Sequence, residues 1–547
     1  MRIADSLLRW IAILSCCYRY SVLGWTPLLH PIAAVSYHRI NLPSCNPCKI
    51  DRSLFQVGMV ASSDQPDDHP SFDMMRNFRD LQRGYNDITP VTVAILAVYF
   101  VQGVLGLSRL AVSFYFKDEL HLSPADAGVL LSLSSLPWLV KPLYGFLSDG
   151  FPLFGYRRRS YLFLSGLLGC MSWIAFGTIV HDVSSALVCV IAGSASVAIS
   201  DVVADSIVVE QSRVINEEST ATQQKGDMYA LDYIEEPVRA ASSSEQLTSN
   251  SADLQSLCWG SAAVGGILSA YFSGSLLQVV TPQQVFLITS IFPLLTACSA
   301  LLIDEKPLSS GNNNTKNGVS ITDFMSSVSV QVSDLWTTIS RKSLYLPVLF
   351  IFLWQATPSA ESAMFYFTTN DLKFQPELLG QIRLASSVAS LLGVIGYRSW
   401  LKAISIKDVI VWSTIISVPL GLTQTLLTSH YNRVLGIPDA LFALIDTVVL
   451  TVLGQVAFMP VLALAASLCP PGIEGTLFAA LMSVYNASGA LSGELGAAVT
   501  AALGITDTNF EQLTTLIVIC SVSSLLPLLF IDRLMGPSQQ ALHDHTD

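Results

Sequence analysis

The chain has 547 residues, of which 51% are hydrophobic and only 13% are Asp, Glu, Lys or Arg; soluble domains carry about 25% charged residues, so an ordinary soluble protein is excluded. The formal net charge of −12 argues against a nucleic-acid partner, which needs clustered Lys and Arg. The 10 cysteines and 8 histidines are scattered. Cys45 and Cys48 alone have ligand-like spacing and lack the second pair of a zinc site, so neither a metal nor a cofactor is expected.

The first 85 residues differ from the rest. Arg2, Arg9, Arg19, Arg39, Lys49 and Arg52 are opposed over the first 60 positions only by Asp5 and Asp51. Ser and Cys are frequent, and the weakly apolar stretch from Leu7 to Leu28 is interrupted by Arg19. The composition fits an organelle transit peptide better than a secretory signal; a disordered cytoplasmic tail is the alternative. Residues 64–87 read as a polar linker.

Crossing a bilayer as a helix takes about 20 mostly apolar residues. The sequence supplies runs near 91–114, 124–147, 161–180, 185–210, 255–279 and 284–303, then 344–366, 378–397, 409–428, 438–468, 475–502 and 511–531. These predict an all-α membrane protein with twelve transmembrane helices. A polar, acidic segment over 212–252 separates the fourth and fifth runs. A central loop over 304–343, with Ser309-Ser310-Gly311 and Asn312 to Asn314, has a flexible composition. A polar tail covers 536–547.

Orientation follows from Lys and Arg. One set of loop ends carries Arg157, Arg158, Arg159, Arg213, Lys225, Arg239, Lys306, Lys316, Arg341, Lys342, Arg398, Lys402, Lys407 and Arg533. The other carries Lys117, Lys373 and Arg433. This asymmetry puts the basic loops on the cytoplasmic or organelle-interior side. Six runs in 86–303 and six in 344–535, joined on that side, form the two-halved major facilitator arrangement, with a substrate path between halves near mid-membrane.

Intramembrane charges are costly and face a bundle interior or water. Asp201 and Asp205 stand at i and i+4, on one face of the fourth helix. Two acids this close raise one another's proton affinity, which suits a proton carrier; an interior pair pinning helices together is the alternative. Arg109 and Arg383 are expected as buried bases in helices one and eight. Either holds an anionic substrate through a planar two-point contact, or neutralises a membrane carboxylate. Glu361, Asp446 and Glu494 are further acids in helices seven, ten and eleven, and Gln102, Gln455 and Asn486 add polar groups. Lys141, near the basic-side end of helix two, is placed to snorkel to water. Asp149 with Arg157, Arg158 and Arg159 is expected to form a gating network on the basic side, joined by Glu210.

Gly145-Phe146-Leu147-Ser148-Asp149 followed by Gly155-Tyr156-Arg157-Arg158-Arg159 resembles the loop between helices two and three of major facilitator proteins, with a longer spacing between acid and arginines. Lys141 to Asp149, Gly155 to Arg159, Asp201 to Glu210 and Trp354-Gln355-Ala356-Thr357-Pro358-Ser359 resemble the folate–biopterin transporter family. The resemblance covers about 90–535 and implies secondary transport of an anionic folate or pterin through a lipid bilayer. Proton coupling is suggested by the buried acids. Trp354 and Gln355 are then positioned to stack on and hydrogen-bond a pterin ring. Some plant members reside in the plastid envelope, which would suit the N-terminal segment; plasma or vacuolar membranes are the alternatives. Two other readings remain: a carrier for another organic anion, and a non-transporting sensor or scaffold. No arrangement of catalytic His, Asp or Cys points to an enzyme.

Overall fold

The computed structural model describes residues 89–227, 236–305, 340–401, 404–467 and 474–534, with isolated positions between 329 and 337. The expected transit segment, most of the central loop and the polar tail lie outside these residues.

Twelve long helical segments, with the short helix Tyr431–Val434 between the ninth and tenth, follow one another among the described residues. They are α1 (Pro90–Glu119), α2 (Pro124–Gly150), α3 (Arg159–Thr178), α4 (Val183–Asp227), α5 (Glu236–Val279), α6 (Pro282–Leu302), a broken α7 (Lys342–Gln355 and Glu361–Tyr366), α8 (Pro376–Leu401), α9 (Ile406–Thr428), α10 (Asp439–Ser467), α11 (Glu474–Ala502) and α12 (Leu513–Leu534). Ten of them contain a stretch long and apolar enough to cross a membrane; α7 and α11 are the exceptions. The expected runs therefore coincide with real helices, and the chain is a multi-pass membrane protein.

Several helices begin as their sequence dictates. The Thr89, Ser123 and Thr281 side chains each accept the backbone N–H three residues on, with Pro90, Pro124 and Pro282 next in line. The hydroxyl satisfies an orphan donor, while proline presets the backbone where its missing N–H costs nothing.

Two expectations need correction. The segment over 212–252 is not simply a polar loop, because α4 runs on to Asp227 and α5 starts at Glu236. Its Glu, Gln and Ala content favours helix, Gly226 falls near the stop, and Pro237 sits in the first turn of α5. The seventh helix is also not continuous, because it breaks between Gln355 and Glu361. Pro358 forces the interruption, and α11 satisfies the freed backbone. The Ser359 N–H donates to the Ser492 carbonyl at 3.2 Å, and the Ser492 hydroxyl donates to the Thr357 carbonyl at 2.5 Å. Non-helical backbone is tolerated at membrane depth when protein groups take over its hydrogen bonds.

Small residues let the helices approach closely. Gly103 of α1 lies against the Ala262 carbonyl and Gly266 of α5, and Gly265 against the Phe100 carbonyl. Across the halves, Gly274 of α5 meets Gly380 of α8, while Gly493 and Gly496 of α11 meet Ser132 of α2 and the Ser359 backbone of α7. A side chain at these glycines would collide with backbone or a buried hydroxyl, the small-residue packing expected between membrane helices.

The end opposite the basic loops holds an aromatic core. Phe176 and Phe286 stack with centroids 4.3 Å apart, and Tyr115 meets both edge-on. Tyr366 of the C-terminal half is buried in the same cluster.

Candidate functional site

The charged groups gather in three layers. The first is a network inside the N-terminal half. Asp201 and Asp205 lie one turn apart on α4, about 6 Å along its axis. Asp201 is buried, and its carboxylate accepts from the Lys141 ammonium of α2. That ammonium lies 4.7 Å from the centre of the Trp138 ring, and the Trp138 indole donates to the Ser194 hydroxyl of α4 at 3.1 Å. Lys141 thus does not snorkel to water. Nearby Asp201 and the Trp138 ring hold the ammonium where it would otherwise extend. Asp205 differs, being exposed and accepting from the Tyr99 hydroxyl of α1. The Cys258 thiol of α5 lies within electrostatic reach of Asp205.

The second layer joins the halves. Arg109 comes from α1, Arg383 from α8 and Glu361 from the second piece of α7. Arg383 lies close enough to feel both other charges. Arg109 is exposed and Arg383 half-buried, so the expectation of two buried bases holds for neither in full. Arg109 is the more exposed of the two, and two guanidiniums within range of one another repel. Glu361 occupies the first turn of its helix piece, where the macrodipole favours an acid. The three side chains carry two positive charges and one negative, an excess that suits an anion.

Of the remaining expected residues, Trp354 does not present a free indole. Its N–H donates to the buried Thr414 hydroxyl of α9 at 2.9 Å, and its ring packs against the Phe350, Ile351 and Ile410 cluster. Gln355 faces Gly489 of α11. Asp446 of α10 accepts from the Thr423 hydroxyl. The Gln102 amide nitrogen and one Glu494 carboxylate oxygen are buried without a hydrogen-bond partner.

The third layer caps the basic side. Arg158 donates to Asp149 at 2.5 Å, to Glu210 at 2.9 Å and to the Ser148 hydroxyl at 3.1 Å. The three arginines therefore differ in role. Only the backbone N–H groups of Arg157, Arg158 and Arg159 act alike, all donating to the Glu305 carboxylate at 2.7, 3.0 and 2.9 Å. The Arg159 guanidinium lies 5.4 Å from the Tyr156 ring centre. These contacts tie α2, α4 and the end of α6 to the head of α3, all within one half.

At the opposite end, polar contacts fasten the halves to one another. Lys117 donates to Asn370 at 2.9 Å, Gln278 to Glu377 at 2.9 Å, and the Tyr366 hydroxyl to the Leu122 carbonyl at 2.7 Å. Phe114 and Phe365 meet edge-on with centroids 5.3 Å apart.

Tyr99, the Lys141 pairing and Glu305 escape a reading of the sequence. A weak signal exists for Tyr99, since with Gln102 and Arg109 it forms a polar stripe along the mostly apolar α1.

The BT1 family profile matches residues 102–224 and 233–547. The chain belongs to the BT1 family. A protein named folate-biopterin transporter from Synechocystis sp. is 50% identical to this BT1-family chain over 448 residues, 82% of each chain. A probable folate-biopterin transporter of Arabidopsis thaliana is 30% identical, covering 80% of this chain and 81% of its own. Folate transporter 1 of Plasmodium falciparum is 29% identical, covering 85% and 82%. Among solved structures, the nucleoside transporter NupG superposes with a TM-score of 0.56 at 13% identity, over 82% of this chain and 99% of that one. A D-xylose-proton symporter gives 0.55 at 12% identity, over 81% and 97%. At such identities the likeness speaks to fold alone, and the fold is that of major facilitator transporters. This BT1-family protein is a membrane transporter rather than an enzyme, and its relatives act on small molecules.

Proposed function

We propose that this protein is a secondary active carrier that moves folate or a related pterin across a membrane, coupled to protons. The observation that carries the reading is that Arg109 and Glu361 both lie within electrostatic range of Arg383, with the two arginines coming from opposite halves. Folate ends in a glutamate part with two carboxylates, and arginine holds a carboxylate by two parallel charge-assisted hydrogen bonds. A substrate carboxylate between the arginines relieves their mutual repulsion and draws the halves together. Closure on the substrate then follows from binding itself. The unpartnered Gln102 amide and Glu494 oxygen supply a donor and an acceptor for the edge of a heterocycle. The relatives' names support the substrate class, and two halves of six helices, 86–303 and 344–535, are the bodies that rock.

The seam from Lys117 to Asn370 and from Tyr366 to Leu122 closes one end in this state. Ordinary hydrogen bonds contribute about 1 kcal/mol each, weak enough to break and re-form in a cycle. Asp149, Arg158 and Glu210 hold α2, α3 and α4 together on the basic side while the halves move. A plastid envelope location is supported by the composition of the first 85 residues and by the cyanobacterial relative.

Uptake of radiolabelled folic acid into vesicles bearing the purified protein, with and without a pH gradient, tests the function. Accumulation that rises with the proton gradient is the expected result, and absence of folic acid uptake under every gradient overturns it. A fluorescent fusion of residues 1–90 tests the location.

A further inference from the structure

Asp201 and Asp205 look equivalent in the sequence, yet their surroundings divide them. Asp201 is buried and pairs with Lys141, and both side chains are only 12% exposed. The ammonium is held from its other side by the Trp138 ring, itself anchored to Ser194. Removing the Asp201 carboxylate would strand a largely covered ammonium, so each charge of this pair depends on the other. Among the described residues no cation pairs with Asp205 alone. It is exposed and accepts one neutral hydrogen bond, from Tyr99. The titratable groups facing it are Tyr99 from α1, Lys141 from α2, Asp201 from its own helix and Cys258 from α5. Lys141 is already committed to Asp201, which leaves the Asp205 charge only partly compensated.

We propose that Asp205 alone takes up and releases the coupled proton, while the Asp201–Lys141 pair stays ionised throughout the cycle and Tyr99 is the positioning residue. In the loading step a hydrated proton from the exposed side forms one O–H bond on the Asp205 carboxylate, which loses its negative charge; water is left behind and no electrons change hands. Tyr99 keeps its own proton. Its hydrogen bond reverses, so that the new Asp205 O–H donates to the phenolic oxygen. Release is the same step run backwards. The inference rests on the proton-coupled reading above.

The test uses the full chain in proteoliposomes with radiolabelled folic acid. Two quantities are read: accumulation driven by a pH gradient, and counterflow exchange at equal pH. Wild type should show both. Asp205→Asn should lose gradient-driven accumulation by about tenfold or more while counterflow persists. The double variant Asp201→Asn with Lys141→Met removes both charges together and should keep its response to the gradient. Tyr99→Phe should shift the pH profile of accumulation. Gradient-driven accumulation in Asp205→Asn overturns the assignment, as does a double variant blind to the gradient. Loss of both activities by an Asp205→Asn protein that elutes as wild type overturns it too. Where Asp205→Asn does not fold, Tyr99→Phe decides, and an unmoved pH profile counts against the assignment. If wild-type accumulation ignores the gradient, proton coupling itself fails, a result distinct from all of these.

Discussion

The hydroxyl of Tyr366, on the second piece of α7, donates to the carbonyl of Leu122 just before α2, at 2.7 Å. This contact crosses between the halves, and Tyr366 is otherwise buried among residues of the half it does not belong to. Tyr366→Phe deletes the hydrogen bond and keeps the ring. The seam should weaken by about 1 kcal/mol, roughly a fivefold shift toward the state open at that end. Ser362 lies one turn before Tyr366 on the same piece of α7 and faces Gly128 of α2 across the seam; labelling of a Ser362→Cys reporter by a membrane-impermeant maleimide, in a cysteine-free background, should speed up by a similar factor. An unchanged rate would show that Tyr366 does not hold the seam.

The paired arginines predict a substrate-dependent defect. Arg109→Met and Arg383→Met should each weaken folic acid binding by about tenfold to a hundredfold, since a hydrogen bond to a charged group is worth roughly 1.5–3 kcal/mol. Biopterin has no glutamate part and should be affected far less. Competition of each compound against labelled folic acid measures the difference. Equal losses for both would remove the carboxylate-clamp assignment.

Gly496 and Gly454 form a matched pair for stability. A methyl group at Gly496 would run into the Ser359 backbone, whereas nothing lies within 4 Å of one at Gly454. Gly496→Ala should lower the detergent melting temperature by the equivalent of about 1–3 kcal/mol. Gly454→Ala should be neutral or slightly stabilising, because alanine favours helix. The reverse order would contradict the packing of α11 on the break in α7.

Asp182 lies in the short connection between α3 and α4, where the Ser185 hydroxyl and then the Ser185 backbone N–H donate to its carboxylate. These hydrogen bonds hold its proton affinity below the usual carboxylate range. The group is therefore charged and stabilising at neutral pH. The contribution is present above the ordinary aspartate value and is lost as pH falls through the lowered folded one. Asp182→Asn should flatten the acid limb of a melting-temperature profile slightly and leave neutral pH nearly unaffected, since asparagine also caps helices. A profile that stays parallel to wild type would refute this.

Much of the architecture was legible because length and apolarity alone decide membrane helices; the Thr-Pro and Ser-Pro pairs at the starts of α1, α2 and α6 went unread. Pro358 stands at the break in α7, where a proline in an apolar run signals a loosened helix but not how far it opens. The site was less readable, because helical spacing gives the face of a residue and not its partner. Tyr99 lies 106 positions from Asp205, and in an apolar run a tyrosine reads as packing. Lys141 near a helix end reads as snorkelling, and only the approach of α4 turns it toward Asp201. Glu305 reads as one of two adjacent acids opening a linker, yet its carboxylate collects backbone N–H groups 146 to 148 positions earlier. Such long-range polar pairs leave no local trace.

The extension of α4 beyond its apolar span, from 209 to Asp227, has a mechanical consequence. At 1.5 Å per residue it adds about 28 Å of helix beyond the apolar span. Because it is continuous with the part of α4 that bears Asp201 and Asp205, it works as a pointer. A tilt of about 10° at the membrane sweeps its tip through roughly 5 Å over that length. If the halves rock as proposed, motion too small to see among packed helices is magnified at this tip, where a spin label or fluorophore can reach it.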